Sequence, residues 1–212
     1  MEKKAIIFDL DGTMWDSTEV VMPLWNKVLA ESGKVSRQVD KKTVDGMMGK
    51  TMAETMQLLF PELPPEDRQE LGKAVCDIEV EYLWDHGARL YDGLEETLRR
   101  LKENYGLYVV SNCQVGYIES FMHAHGLEDV FSDIEMPGRT GKSKGENIKL
   151  LMERNGITKA LYVGDTAGDQ TAAAAAGIPF VFAGYGFGHV TGADAVITAP
   201  AELPEAAKRI LG

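Results

Sequence analysis

The apolar positions of this 212-residue chain keep two different periods. Residues 5–8, Ala-Ile-Ile-Phe, are continuously apolar and stop at Asp9, with a glycine turn at Gly12. A short apolar run closed by a turn signal predicts a buried strand. From Ser17 to about Trp84 the spacing becomes helical, and no strand is expected. Val20, Val21, Leu24, Val28 and Leu29 fit one face of a first helix. Met52, Met56, Leu58 and Leu59 fit another, after a glycine-flanked turn that carries Met47 and Met48. Leu71, Val75, Ile78 and Leu83 continue the pattern, and Pro65-Glu66-Asp67 resembles a helix start, with acids in the first turn. This stretch predicts a small all-helical bundle. From Gly93 helices and strands alternate. Helices are expected over 94–103, 116–125, 144–155, 172–176 and 204–211. Strands are expected over 107–110, 130–135, 160–163, 178–182 and, shorter, 195–197. That alternation predicts an α/β protein with a parallel sheet and helices on both faces.

The chemistry gathers where apolar runs stop. The first run ends in Asp9 and Asp11, one residue apart. The run 107–110 ends in Ser111-Asn112, and the run 160–163 ends in Gly164-Asp165, with Asp169 following in the loop. A basic segment, Lys142-Ser143-Lys144, lies between the last two. If these strands are parallel and adjacent, all of these groups meet at the carboxyl edge of the sheet, where open α/β sheets bind ligands. Carboxylates so crowded repel one another unless a cation offsets them. Hard oxygen donors of this kind suit a cation such as Mg2+.

Composition narrows the classes. The formal net charge is -11, which argues against a nucleic-acid surface. Two cysteines, Cys76 and Cys113, make no disulfide framework, and Cys113 reads as a small buried hydrophobe near the site. The start of the chain has no secretory apolar region, and the apolar stretch 172–183 is broken by Gly177 and Pro179. A soluble, cytoplasmic protein with no membrane partner is expected. His123 and His125, two apart on one helix, cannot share a face as metal ligands would. The glycine spacing of Gly184-Tyr185-Gly186-Phe187-Gly188 has no clear helix after it, so a rim loop is expected there, not a phosphate loop.

Taken in order, DLDGT, SN, KSKGEN and GDTAGD resemble the four motifs of the haloacid dehalogenase superfamily of phosphotransferases. The resemblance covers nearly the whole chain and is strongest to small phosphatases of the phosphoglycolate phosphatase type. It implies a Rossmann-like catalytic core over 1–16 and 89–212 and a helical cap over 17–88. Hinges are then expected near Asp16-Ser17 and Ala88-Arg89. It also implies a Mg2+-dependent phosphatase that passes a small phosphorylated substrate through an aspartyl-phosphate. Asp9 is the implied nucleophile and a metal ligand. Asp11 is the implied general acid and base, with its carbonyl toward the metal. Asp165 is an implied ligand, direct or through water, and Asp169 holds a metal-bound water or orients a neighbour. Ser111 and Asn112 are the implied phosphoryl-binding pair. Lys144 is favoured as the active-site lysine because it opens a helix. Gly145 stands where the family often has proline, and that departure keeps Lys142 as the alternative. In the cap, Gly49 and Lys50 sit at a turn that opens a helix, where backbone amides can meet an anion; both are candidate substrate-binding residues. A dehalogenase or a phosphonate-cleaving relative would lack Asp11. A sugar-phosphate mutase often carries a histidine early in the cap, and 16–27 contains none. The mutase and a pyrophosphatase or nucleotidase are the alternatives to a phosphatase.

Overall fold

The computed structural model describes residues 2–212; Met1, the first residue of the expected core segment, lies outside them. The chain runs β1 (Lys4–Phe8), β2 (Trp15–Asp16), α1 (Thr18–Ser32), α2 (Lys41–Asp45), α3 (Met52–Leu59), α4 (Pro65–His86) and β3 (Arg89–Leu90). It continues through α5 (Leu94–Lys102), β4 (Gly106–Val110), α6 (Tyr117–His125), β5 (Asp133–Glu135), α7 (Pro137–Thr140) and α8 (Lys144–Arg154). The last part is β6 (Lys159–Gly164), α9 (Ala167–Ala176), β7 (Phe180–Ala183), β8 (Ala195–Ile197) and α10 (Leu203–Leu211).

Six strands form one parallel sheet in the order β5-β4-β1-β6-β7-β8. This is the expected α/β, Rossmann-like architecture with helices on both faces. Both faces are covered, so the central strands are apolar at nearly every position. Ile6, Phe8, Leu107, Val109, Leu161 and Val163 point to one side, into the larger core cluster. Ala5, Ile7, Tyr108, Val110, Ala160 and Tyr162 point to the other, against Ile148 and Leu151 of α8 and Ala172 and Ala173 of α9. β1 lies between β4 and β6, so the chain crosses from one half of the sheet to the other at β1. Ligand crevices form at such a switch point, beyond the carboxyl ends of the strands.

The segment between β2 and β3 holds four helices and no strand, as its spacing predicts, and departs and returns at a two-stranded antiparallel ribbon that pairs Trp15 with Leu90 and Asp16 with Arg89. α1 and α3 each pack on α4, α2 packs on α1, and α4 also packs along α6. No helix among the described residues is long and apolar enough to cross a membrane.

Several expected boundaries move. The strand expected over 130–135 is only Asp133–Glu135, and a short helix, α7, follows it. α9 begins at Ala167, five residues before the expected start. Its cause is a capping box: the Thr166 hydroxyl accepts from Asp169 N, and the Asp169 carboxylate returns to Thr166 N. The acids of the last motif are therefore also the start of a helix. Leu58, assigned to a buried face, is 55% exposed, because Met56 and Leu59 turn inward in its place. On α4 the buried stripe runs Leu71, Val75, Glu79, Leu83, with Ile78 only partly covered.

Candidate active site

Asp9 continues the pairing of β1 by one residue, donating its N–H to Val163 O at 2.8 Å. Its carboxylate is thereby held beside the end of β6. Asp9, Asp165 and Asp169 each bring a carboxylate oxygen within 4.8 Å of the others, and all three are buried. Lys144, the first residue of α8, is buried with them. Its ammonium lies 3.0 Å from Asp9 Oδ1 and 2.6 Å from Asp169 Oδ1. Lys142, the alternative, is exposed and does not reach the cluster. Gly145 explains the departure beside it. A Cβ there would lie 2.9 Å from Ala175 Cβ and 3.1 Å from Ala172 O, so the close packing of α8 on α9 leaves no room for proline.

The hydrogen bonds divide the acids. Asp169 is saturated: Oδ1 accepts from Lys144 Nζ, and Oδ2 accepts from Asp165 N, Thr166 N and the Thr166 hydroxyl at 2.7–3.2 Å. Both oxygens of Asp9 and Oδ1 of Asp165 are buried without a hydrogen bond. The ammonium near Asp9 is close enough for an ion pair but is not aligned as a donor. Buried polar atoms left bare are rare and ask for a partner. Three bare carboxylate oxygens, with no histidine or cysteine in the group, fit a hard divalent cation such as Mg2+.

The electrostatics follow from burial. Burial, then the Asp169 charge, pushes the Asp9 carboxyl up to about 7 against the pull of Lys144. Burial with Asp169 and Asp9 raises Asp165 well above the usual range. Burial draws the Lys144 ammonium down, but Asp169 and Asp9 outweigh it and hold it above its ordinary value. So without a cation the protonated forms of Asp9 and Asp165 are favoured relative to free carboxyls.

Asp11 faces differently. Its Oδ1 accepts from Trp15 Nε1 at 2.8 Å, Ser17 Oγ at 2.5 Å and Tyr117 Oη at 3.1 Å. Its side chain is therefore not in the carboxylate cluster. Burial raises its carboxyl to about 6, although those three donors oppose the shift. Asp9 and Asp11 line one cleft together with Ser111, Asn112, Gly49 and Lys50. Ser111 is buried at the end of β4. The side chain of Asn112 is already used, donating to Gly49 O at 3.0 Å, so the turn before α3 rests on the loop after β4. Lys50 is exposed at the mouth. The expectation of free helix-start amides beside it needs correction. The amides of Thr51 and Glu54 are taken by the capping box of α3, and no anion cradle is left at those two positions.

Two features go beyond the sequence expectations, which gave residues 184–188 only as a rim loop and assigned Glu79 no role. The 184–188 loop is part of the site: Phe187 N donates to Asp165 Oδ2 at 2.8 Å, and Gly186 packs against Asp165 and Gly12. The glycine spacing was the signal, but the loop cradles a carboxylate instead of a phosphate. The second is Glu79, a buried acid from α4 that lines the same cleft.

A parallel α/β sheet thus carries three buried carboxylates and a lysine at its switch point. The family model for haloacid dehalogenase-like hydrolases matches residues 6–183, and the chain belongs to that family. It is 28% identical to a phosphoglycolate phosphatase of Vibrio vulnificus, covering 89% of this chain and 86% of the relative. It is 25% identical to an N-acetylmuramic acid 6-phosphate phosphatase of Pseudomonas putida, covering 96% and 95%. Its fold is similar to a crystal structure of a predicted phosphoglycolate phosphatase from Haemophilus somnus, with TM-score 0.84, 24% identity, and 97% and 98% of the two chains covered.

Proposed function

We propose that this chain hydrolyses small phosphomonoesters in two displacements through a phosphoryl group carried on Asp9. The bare, buried carboxylate of Asp9 beside Lys144 is the observation that carries the reading. Phosphoryl transfer needs positioning and charge stabilisation more than covalent help. Mg2+ held by Asp9, Asp165 and the carbonyl of Asp11 would neutralise charge between the nucleophile and the phosphoryl oxygens. In the first displacement Asp9 attacks phosphorus as Asp11 gives its proton to the departing alcohol oxygen. In the second, Asp11 takes a proton from water attacking phosphorus, which releases inorganic phosphate and restores Asp9. A carboxyl held near 6 can serve both directions close to neutrality. Ser111 and the backbone at Asn112 bind phosphoryl oxygens. Asp169, already saturated, positions Lys144 and the turn that carries Asp165. Residues 17–88 act as a cap that excludes water, hinged at the β2–β3 ribbon.

The test is Asp9→Asn, nearly isosteric but a poor nucleophile. It should abolish turnover of p-nitrophenyl phosphate while leaving the circular dichroism spectrum unchanged. Exhaustive chelation of the parent should do the same, reversed by Mg2+. Near-native turnover by Asp9→Asn would exclude the covalent route.

A further inference from the structure

The cleft has a second side, away from Asp9. Cap residues Trp25, Met47, Met48 and Met52 face it, and one carboxyl projects among them, that of Glu79. Glu79 is 3% exposed, on the stripe of α4 that otherwise carries Val75 and Leu83. Its two oxygens are aimed by two donors: Trp25 Nε1 reaches Oε1 at 2.5 Å, and Gln114 Nε2 reaches Oε2 at 2.6 Å. Trp25 belongs to α1 and Gln114 to the loop after β4, so the carboxyl is fixed from both sides of the cleft. Among the described residues no cation forms an ion pair with it. Among the residues lining the cleft, Lys50 alone is cationic, and it is exposed at the mouth. Burying a charged acid is costly unless it is paired and hydrogen-bonded, and here two neutral donors, Trp25 and Gln114, are what offset it. A fixed acceptor oxygen with spare lone pairs selects a partner that donates.

Resting on the phosphatase reading above, we infer that Glu79 reads the leaving group. The preferred substrates are phosphomonoesters whose alcohol carries hydroxyl or ammonium donors, not a carboxylate. A carboxylate in the leaving group would meet Glu79 in a desolvated pocket, where like charges are strongly disfavoured. Burial pushes the Glu79 carboxyl up to about 7, so mildly alkaline pH favours its ionised, acceptor-only form. The inference therefore separates this chain from the substrate named for its phosphoglycolate phosphatase relatives.

The experiment compares kcat/KM with Mg2+ at mildly alkaline pH for four esters. These are glycerol phosphate, phosphoethanolamine, phosphoglycolate and p-nitrophenyl phosphate. The parent should favour glycerol phosphate or phosphoethanolamine over phosphoglycolate by at least about tenfold. Glu79→Gln keeps the shape, and its amide can still meet Trp25 and a flipped Gln114. It should narrow that ratio by about fivefold or more, with phosphoglycolate gaining in absolute rate. A fall confined to phosphoethanolamine marks the ammonium as the recognised donor. Hydroxyl recognition leaves glycerol phosphate nearly as good, since an amide oxygen also accepts. If Glu79→Gln does not fold, the ranking of the parent alone decides. Phosphoglycolate ranked first, or a ratio unmoved by Glu79→Gln, overturns the inference and leaves the phosphatase reading standing. No turnover of any ester, p-nitrophenyl phosphate included, removes the phosphatase reading and this inference with it.

Discussion

Replacing Lys144 by Met removes the only positive charge within the carboxylate cluster. At an effective dielectric of about 20, an ammonium 3.0 Å from one carboxylate and 2.6 Å from another gains about 5 and 6 kcal/mol of attraction. The net loss is smaller, because the lysine is also released from a costly burial and the acids can take up protons. Asp9 already sits at about 7, so it gives way first. Removing one partner of a buried pair typically costs about 3–5 kcal/mol, and that is the expected loss near neutral pH in chelator. With a urea slope of about 2 kcal/mol/M, the midpoint should fall by about 1.5–2.5 M. Mg2+ should restore part of the loss, since a cation binding only the folded state stabilises it. Turnover should fall by about a hundredfold or more, as for loss of a donor in a preorganised site. Lys142→Met, on the exposed neighbour, should change stability by no more than about 0.5 kcal/mol. Equal urea midpoints for the two variants in chelator would refute the electrostatic role given to Lys144.

The pH dependence of the metal-free protein has a definite sign. Asp9 and Glu79 are raised to about 7 and Asp11 to about 6, and Asp165 is raised as well. The folded state then binds more protons than the unfolded state, so stability should fall as pH rises from about 4 to about 7. Acids held low, such as Asp133 beside Arg154, act oppositely below about pH 4. A urea midpoint in chelator that is no lower at pH 8 than at pH 5 would contradict this. Gly186→Ala should cost about 1–3 kcal/mol and raise the Mg2+ needed for half-maximal activity. Its Cβ would fall 2.3 Å from Gly12 O and 2.4 Å from Asp165 Cβ. Gly46→Ala, with nothing nearer than 3.5 Å, is the control, and equal thermal midpoints for the two would remove the steric argument.

The sheet and the meeting of its strand-end acids were legible because both rest on period and position. A parallel strand covered on both faces must be apolar throughout, so each run announces itself, and the residue after it falls at one edge. Asp9, Asp165 and Ser111 follow from that rule alone. Lys144 needed more. Two lysines flank Ser143, and only the helix phase set by the Ser143–Glu146 capping box turns Lys144 inward and Lys142 out. That box is a local signal, present in the letters S-x-x-E. The same kind of box, T-x-x-D, was hidden at Thr166 because Asp169 reads first as chemistry and only second as a cap.

Glu79 was hidden by the opposite habit, that of reading apolar residues for the core and skipping the acid between them. Leu71, Val75, Glu79 and Leu83 recur at steps of four, so position 79 must face inward if its neighbours do. A glutamate there is either an error in the stripe or a group with a task. What the sequence could not supply is the pair of donors, since Trp25 lies 54 residues before Glu79 and Gln114 lies 35 after it. Only the fold brings α1 and the loop after β4 against the same helix face. The acids of the core belong to strand ends and can be placed by rule. Glu79 belongs to a tertiary contact, and so the group proposed to read the leaving alcohol is less legible than those proposed to act on the phosphate.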